Sequence, residues 1–322
     1  MRAIRFHKTG GPEVLQWEDV ELAAPGPGQA SLRHHAIGVN FLDTYFRSGL
    51  YPGALPLIPG SEGAGVITAL GAGVEGFKIG DRVAYVSTPG SYAEARNVDV
   101  KHLVKLPDNI SYEQAAAMML KGLTAQYLLR QTYRVQSGDF ILVHAAAGGV
   151  GQILCQWGKH LGATVIGTVG SPPKAEIAKG CGADHVINYS SEDFPARVAE
   201  ITEGAKCAVA YDGVGKATFP ASLDCLRPFG VFASFGSASG PVEAFNLSLL
   251  GQKGSLYATR PTLFTFLADR ARLDTMAKEL FEVVGAGAVK IAVSDHAPLA
   301  EAARVHRDLE ARRTTGSIVL IP

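Results

Sequence analysis

Residues His144-Ala145-Ala146-Ala147-Gly148-Gly149-Val150-Gly151 constrain the fold of this chain more than any other stretch. They follow the apolar run Phe140-Ile141-Leu142-Val143, which reads as a buried strand. Beyond them Val150, Ile153, Leu154, Trp157 and Leu161 recur like one face of a helix. Strand, glycine turn and helix together make a βα unit of the dinucleotide-binding kind. The glycines allow a tight turn and a close approach of backbone to a pyrophosphate. The helix N-terminus adds free N–H groups and the positive end of its dipole. Ordinary tight turns also carry glycine runs, so the flanking strand and helix give the motif its weight.

From Gly138 onward strand and helix patterns alternate. The strand candidates are Phe140 to His144, Thr164 to Val169, His185 to Asn188, Cys207 to Asp212, Gly230 to Phe235 and Gly254 to Thr259. Six strands with crossover helices predict an α/β, doubly wound parallel sheet. Before this lies a different texture. Arg2 to Phe6, Val14 to Trp17, Ala30 to Gly38, Gly65 to Leu70 and Gly80 to Tyr85 read as short strands broken by glycine and proline, as in a compact β-barrel-like domain. Tyr112 to Gln131 is a helical pattern with an interruption at Lys121-Gly122. Two helices near Leu273 to Val284 and Leu299 to Arg312 precede a last strand, Ser317 to Pro322. The parallel sheet is already full, so this strand is assigned to the first domain. The expected division is 1–125 with 262–322, and 126–261.

Two cores need many apolar residues, and 47% of the 322 residues are hydrophobic. Thirty basic residues balance thirty acidic ones, so no net field favours nucleic acid or an anionic membrane. No apolar run approaches the roughly 20 residues that span a bilayer. The opening Met1-Arg2-Ala3-Ile4-Arg5-Phe6 lacks a signal-peptide core. Cys155, Cys181, Cys207 and Cys225 lie far apart and read as small hydrophobes in a reducing, cytoplasmic setting.

The cofactor reading can be narrowed. NAD-binding sheets commonly place an acid about 20 residues past the glycines, on the adenosine ribose. Here that place reads Thr168-Val169-Gly170-Ser171-Pro172-Pro173-Lys174. A carboxylate there would repel a 2′-phosphate, whereas Lys174 would attract it. Ser171 also suits a helix N-cap and Pro172 a first turn. NADP is therefore favoured over NAD, although Lys174 alone also reads as a surface lysine. Tyr189, at the end of the third strand candidate, either contacts the same phosphate or simply packs. A metal is not proposed. No cysteine precedes Cys155, and the neighbours His34 and His35 point to opposite faces of a strand.

Gly138-Asp139-Phe140-Ile141-Leu142-Val143-His144-Ala145-Ala146-Ala147-Gly148-Gly149-Val150-Gly151, with Gln156 and Lys159, resembles the signature of the quinone oxidoreductase/zeta-crystallin family. That family belongs to the zinc-less part of the medium-chain dehydrogenase/reductase superfamily. The likeness runs from Phe6-His7-Lys8 to Gly316-Ser317, with Val39 to Pro52 and Lys121-Gly122-Leu123-Thr124 as further blocks. Zinc-dependent relatives carry ligands where Asn40 and Ser61 stand here. The resemblance implies a GroES-like catalytic domain, a Rossmann domain binding NADPH, a cleft between them and a homodimer that often pairs Rossmann sheets edge to edge. It puts Asn40, Tyr45 and Tyr51 at the nicotinamide and substrate, and Thr124 beside the nicotinamide. It places Ala147, Gly148, Gly149, Val150 and Gly151 at the pyrophosphate, and Gly170, Lys174 and Tyr189 at the 2′-phosphate. Phe235, Gly236 and Ser237, with Thr259-Arg260-Pro261, line the nicotinamide half, and Arg312 reaches the cofactor from the other domain. Ala146 stands where the general dinucleotide pattern has its first glycine.

The reaction expected is NADPH-dependent reduction of a quinone without metal. Asn40, Tyr45 and Tyr51 are the catalytic candidates, because amide and phenol groups can donate hydrogen bonds to an oxygen gaining negative charge. Tyr45 and Tyr51 read equally as packing aromatics, and Asn40 also reads as a turn residue. An NADPH-dependent 2-alkenal or enone reductase is the alternative enzyme. A structural or RNA-binding role is the other class, against which stand the neutral charge and the lack of a basic–aromatic array.

Overall fold

The computed structural model describes residues 1–311 and 313–322. Contacts divide the chain into two units: Met1–Lys121 with Asp269–Phe281 and Ile291–Pro322, and Gly122–Ala268 with Glu282–Lys290.

The first unit is built on β strands. β1 (Arg2–Arg5) and β2 (Gln16–Asp19) form an antiparallel pair. Then come β3 (Gln29–Gly38), helix α1 (Phe41–Ser48), β4 (Glu62–Leu70), β5 (Arg82–Val86), β6 (Ala95–Asp99) and β7 (Leu103–Lys105). Helix α2 follows (Tyr112–Tyr127). It runs without a break through Lys121-Gly122, where the sequence suggested an interruption, because Lys121 is buried and paired inside the unit. β3 is the organising strand. It pairs with β4 along one edge, from Ala30 opposite Leu70 to Gly38 opposite Glu62. Its other edge holds β6 at Gln29–Arg33 and, nearer its end, the chain's last strand at Ile37 and Gly38. Leu32, Ile67, Val83, Tyr85 and Leu103 form one core, and Ile4, Phe6, Ile37, Val305 and Leu320 belong to another.

The second unit holds six parallel strands: β8 (Phe140–Val143), β9 (Thr164–Val169), β10 (His185–Asn188), β11 (Cys207–Asp212), β12 (Leu226–Ser234) and β13 (Tyr257–Thr259). Between or after them lie α3 (Gly149–His160), α4 (Pro172–Gly180), α5 (Phe194–Ile201), α6 (Ala221–Asp224), α7 (Ser248–Gln252) and α8 (Leu263–Leu267). The spatial order is β10-β9-β8-β11-β12-β13. The order therefore reverses between β8 and β11, which is where an open α/β sheet leaves a crevice at its strand ends. Every residue of β11 is buried. α9 (Arg270–Gly285), β14 (Val293–Pro298), α10 (Ala302–Glu310) and β15 (Ser317–Ile321) complete the chain. β15 pairs with β14 and β3, so the last strand joins the first unit's sheet.

Candidate active site

The second unit brings the predicted dinucleotide residues to the C-terminal ends of its strands. After β8 the backbone turns through Ala145 at a positive φ of 52°. The Ala146 N–H bonds the Thr168 carbonyl on β9 at 3.0 Å, and the Gly148 N–H bonds Ala145 O at 2.8 Å. The Gln152 side chain donates to the Ala147 carbonyl at 2.8 Å. α3 begins at Gly149, so its first-turn N–H groups have no partner inside the helix. A Cβ on Gly151 would stand 2.3 Å from Ala145 O, which explains glycine there: the helix crosses the strand end too closely for any side chain. Ala147 is buried, while Gly148, Gly149 and Val150 are half-buried.

Gly170, Lys174 and Tyr189 gather at the ends of β9 and β10. Ser171 and Pro172 open α4 as the sequence suggested, although Ser171 makes no side-chain cap bond. Lys174 is half-buried in the first turn of α4, and Tyr189 is 41% exposed with its hydroxyl over Gly170. Phe235, Gly236 and Ser237 are half-buried after β12. Asp212 fixes that region. Its side chain accepts from the N–H groups of Val214 and Gly215 at 2.7 and 3.0 Å and from Thr218 Oγ1 at 2.6 Å. Its carbonyl accepts the Phe235 N–H at 2.8 Å. Thr124 is buried on α2, Arg260 and Pro261 lie beyond β13, and Arg312 lies outside the described residues.

His144 is a buried structural bridge. Its ring nitrogens lie 2.8 Å from Thr168 Oγ1 and 2.8 Å from Ser222 Oγ, and burial holds its pKa below the usual value.

The first unit brings Asn40, Tyr45 and Tyr51 together on and beside α1. Asn40 is its N-cap, and the Asn40 N–H bonds Asp43 Oδ2 at 2.8 Å. α1 was not foreseen as a helix. The signal was present in the Asn-x-x-Asp spacing and Gly49, but the buried face of α1 is polar: Asp43, Thr44 and Arg47. Its aromatics instead lie half-buried. The Tyr45 and Tyr51 rings are 5.3 Å apart, Phe41 and Tyr45 are 5.6 Å apart, and Tyr51 is 36% exposed. Such a cluster offers ring faces and edges to a flat partner.

Beneath α1 lies a buried polar network that sequence reasoning missed. Arg47, 2% exposed, makes a two-toothed pair with Glu310 at 2.5 and 3.1 Å. It also donates to His306 Nδ1 at 3.3 Å. His306 Nε2 lies 3.0 Å from the Tyr92 hydroxyl, which donates to Asp43 Oδ2 at 3.1 Å. Because arginine can only donate, each donor in this chain points toward Asp43. Burial pushes the Asp43 carboxyl up to about 7, against the pull of its hydrogen bonds from Asn40 and Tyr92. Burial, then the Arg47 charge, pushes His306 down to about 3. Next to this network Glu62, fully buried, accepts Asn40 Nδ2 at 2.7 Å and pairs with Lys121 at 3.3 Å.

The zinc positions are otherwise used. Asn40 turns its amide nitrogen to Glu62, and Ser61 Oγ points to Asp43 Oδ1 at 3.4 Å. Among the described residues no three His, Cys, Asp or Glu side chains come together as a metal site, so these residues do not fit a zinc ion. His34 is buried between Ala93 O and the Tyr85 hydroxyl, and His35 stacks on Tyr112 at 4.3 Å. The cysteines are free; Cys155, Cys207 and Cys225 are buried, and burial pushes the Cys225 thiol up to about 12. No helix is long and apolar enough to cross a membrane among the described residues.

Comparison with known proteins agrees with this layout. Residues 26–108 match the alcohol dehydrogenase GroES-like domain family, and residues 149–282 match the zinc-binding dehydrogenase family. Fold and matches together define an oxidoreductase of the medium-chain dehydrogenase/reductase class. The chain is 54% identical to a quinone oxidoreductase of Pseudomonas aeruginosa, over 100% of this chain and 99% of that one. A solved structure of Escherichia coli quinone oxidoreductase complexed with NADPH superposes with a TM-score of 0.98 at 48% identity, covering 100% of both chains. A 2-haloacrylate reductase of a Burkholderia species is 47% identical over 98% of each chain. Within its class, this chain belongs to the quinone oxidoreductase family.

Proposed function

We propose that this chain uses NADPH to reduce quinones and needs no metal to do so. The observation that carries the reading is the group at the end of β9. Where an acid would exclude a 2′-phosphate, Gly170 lies under the Tyr189 hydroxyl and Lys174 occupies the first turn of α4. The solved relative bound to NADPH supports it. Ala147, Gly148, Gly149 and Val150 would hold the pyrophosphate on the N-terminus of α3. Thr124, Phe235, Gly236 and Ser237 would border the nicotinamide. Arg312 is retained as a cofactor contact from the sequence alone. In this reading 126–261 is the NADPH-binding domain, and 1–125 with 262–322 is the catalytic domain.

When bound, NADPH supplies the reducing equivalents from its nicotinamide. The chain's own part is to orient the acceptor and stabilise its oxygen. Phe41, Tyr45 and Tyr51 offer ring surface to a planar quinone. The tyrosine hydroxyls can donate to an oxygen gaining negative charge, and donors aimed at such an oxygen act strongly where water is scarce. Tyr45→Phe, Tyr51→Phe and Asn40→Ala, measured singly for turnover and NADPH affinity, test the assignment. Normal turnover in all three would remove these residues from the site.

The Burkholderia relative favours a second substrate class, activated alkenes such as enones. A steady-state panel of quinones and alkenals with NADPH separates the two. We further propose a cytoplasmic homodimer. β13 is the edge of its sheet, all three of its residues are exposed, and Tyr257 is 62% exposed, so a second copy could extend the sheet there. Sedimentation of the wild type against a proline variant at Ala258 reads this directly.

A further inference from the structure

Asn40, Glu62 and Lys121 are 4%, 0% and 7% exposed. Glu62 is held at both oxygens. Oε2 accepts the Leu120 N–H at 2.7 Å, and Oε1 accepts Asn40 Nδ2 at 2.7 Å and Lys121 Nζ at 3.3 Å. Lys121 also donates to the Val39 carbonyl at 3.1 Å. Gly38 leaves room for this arrangement, since a Cβ there would stand 2.4 Å from Glu62 Oε1 and 2.1 Å from Ala116 O. An ionised carboxylate can only accept, and a side-chain amide presents donors at one end and an acceptor at the other. With Nδ2 turned to Glu62, the flip of the Asn40 amide is decided. Its Oδ1 is then left buried and faces only the first-turn N–H of Asp43, in a capping arrangement too loose to be a hydrogen bond because that N–H is already bonded to the Asn40 carbonyl. An unpaired buried acceptor in a native protein calls for an explanation, and a ligand's donor is one.

We propose that Glu62, backed by Lys121, is a positioning residue that fixes the Asn40 amide so that Asn40 meets its ligand through Oδ1, as an acceptor. This reverses the donor role that the residue type alone suggests. The inference rests on the function proposed above, which supplies two sources of a suitable N–H or O–H. One is the carboxamide of the cofactor, and the other is a hydroxyl of the hydroquinone product. Tyr45 and Tyr51 remain the donors toward the quinone.

The test begins on the full-length protein, 15N-labelled and without ligand. The Asn40 side-chain amide signal is assigned by its loss in Asn40→Ser. In the wild type one Nδ2 proton should be shifted downfield and slow to exchange. Glu62→Gln, which offers both a donor and an acceptor, should abolish that signature. Lys121→Arg, which keeps the carboxylate and its counterion, should retain it. Glu62→Gln should also weaken one binding event by about 10- to 100-fold, the scale on which misplaced site groups act. A weaker NADPH Kd, read by nucleotide fluorescence, assigns the donor to the carboxamide. Unchanged NADPH affinity with weaker inhibition by hydroquinone assigns it to the product. A folded Glu62→Gln variant with an unchanged amide signal and unchanged binding overturns the proposal. If that variant does not fold, Glu62→Gln/Lys121→Met keeps the pair neutral and is read the same way. Should the wild type neither bind NADPH nor reduce quinones, the functional reading fails, and the amide signal still decides the positioning role.

Discussion

A Cβ on Gly170 would stand 2.6 Å from the Tyr189 hydroxyl. The obstacle is the end of a partly exposed side chain, so Gly170→Ala should push Tyr189 aside at little cost to the fold. We expect a change in stability under about 1 kcal/mol. NADPH affinity should fall more than NADH affinity, because the disturbed group is the one we propose for the 2′-phosphate. Thermal melts and fluorescence titrations with both nucleotides check this.

Lys174→Glu should act at the same place through charge. Losing a charged hydrogen bond is worth about 1.5–3 kcal/mol, or roughly 10- to 100-fold in affinity. The loss should fall on NADPH, with NADH affinity unchanged or improved. Equal loss for both nucleotides would assign Lys174 another role.

Gly151→Ala is a different case, because the obstacle is backbone. Ala145 O lies 2.3 Å from the added carbon and is tied into the turn after β8. Overpacking of this kind costs about 1–3 kcal/mol. We expect a lower melting temperature together with loss of binding for both nucleotides, whatever their 2′ substituent.

Asp43 makes stability depend on pH in an unusual direction. Its folded pKa of about 7 lies above the usual carboxyl value of 3.8. The folded state therefore binds the proton first, and Asp43 adds stability as pH falls from about 7 toward 4. His34 and His306, pushed down to about 3 from 6.5, act oppositely. They favour the folded state above about 6.5 and lose that stability as pH falls toward 3. Asp43→Asn removes the compensating gain. Its melting temperature should fall more steeply than that of the wild type between pH 6.5 and 4, as a calorimetric pH series would record.

Glu310→Gln should expose what Arg47 needs. The guanidinium is 2% exposed and would lose its charged partner. Because Glu310 itself is 35% exposed, water can partly replace it, and we expect a loss of about 1–3 kcal/mol by urea denaturation. Cofactor affinity should be unchanged.

Much of this architecture could be read from local patterns. Strands β9, β10 and β11 begin and end where the sequence places them; β9 and β11, buried almost throughout, are written as near-continuous apolar stretches, whereas β10 is a four-residue edge strand with one buried residue, Ile187. Where the backbone departs from regularity the reading slipped. β12 starts at Leu226, earlier than Gly230, with Phe229 at a positive φ of 61° within it. β13 starts at Tyr257 because Gly254 and Ser255 both take positive φ. The network under α1 was hidden for a deeper reason. Hydrophobic periodicity assumes that the inward face is apolar, and here it carries Asp43 and Arg47. The partners Glu62, Tyr92 and His306 come from distant segments that no local spacing connects.

The pairing of β15 with β3 sets an order of assembly. All six strands of the parallel sheet lie between residues 140 and 259, so that sheet can close before β15 has been made. The residue before Asn40 is different: the Val39 N–H bonds the Ile318 carbonyl at 3.1 Å. The strand that leads into Asn40 thus waits for residues 317–321, made well after the parallel sheet, before its end is flanked on both sides. During synthesis the edge of β3 at Ile37–Gly38 stays unpaired longest, and it is there that chaperone contact or misassembly should concentrate.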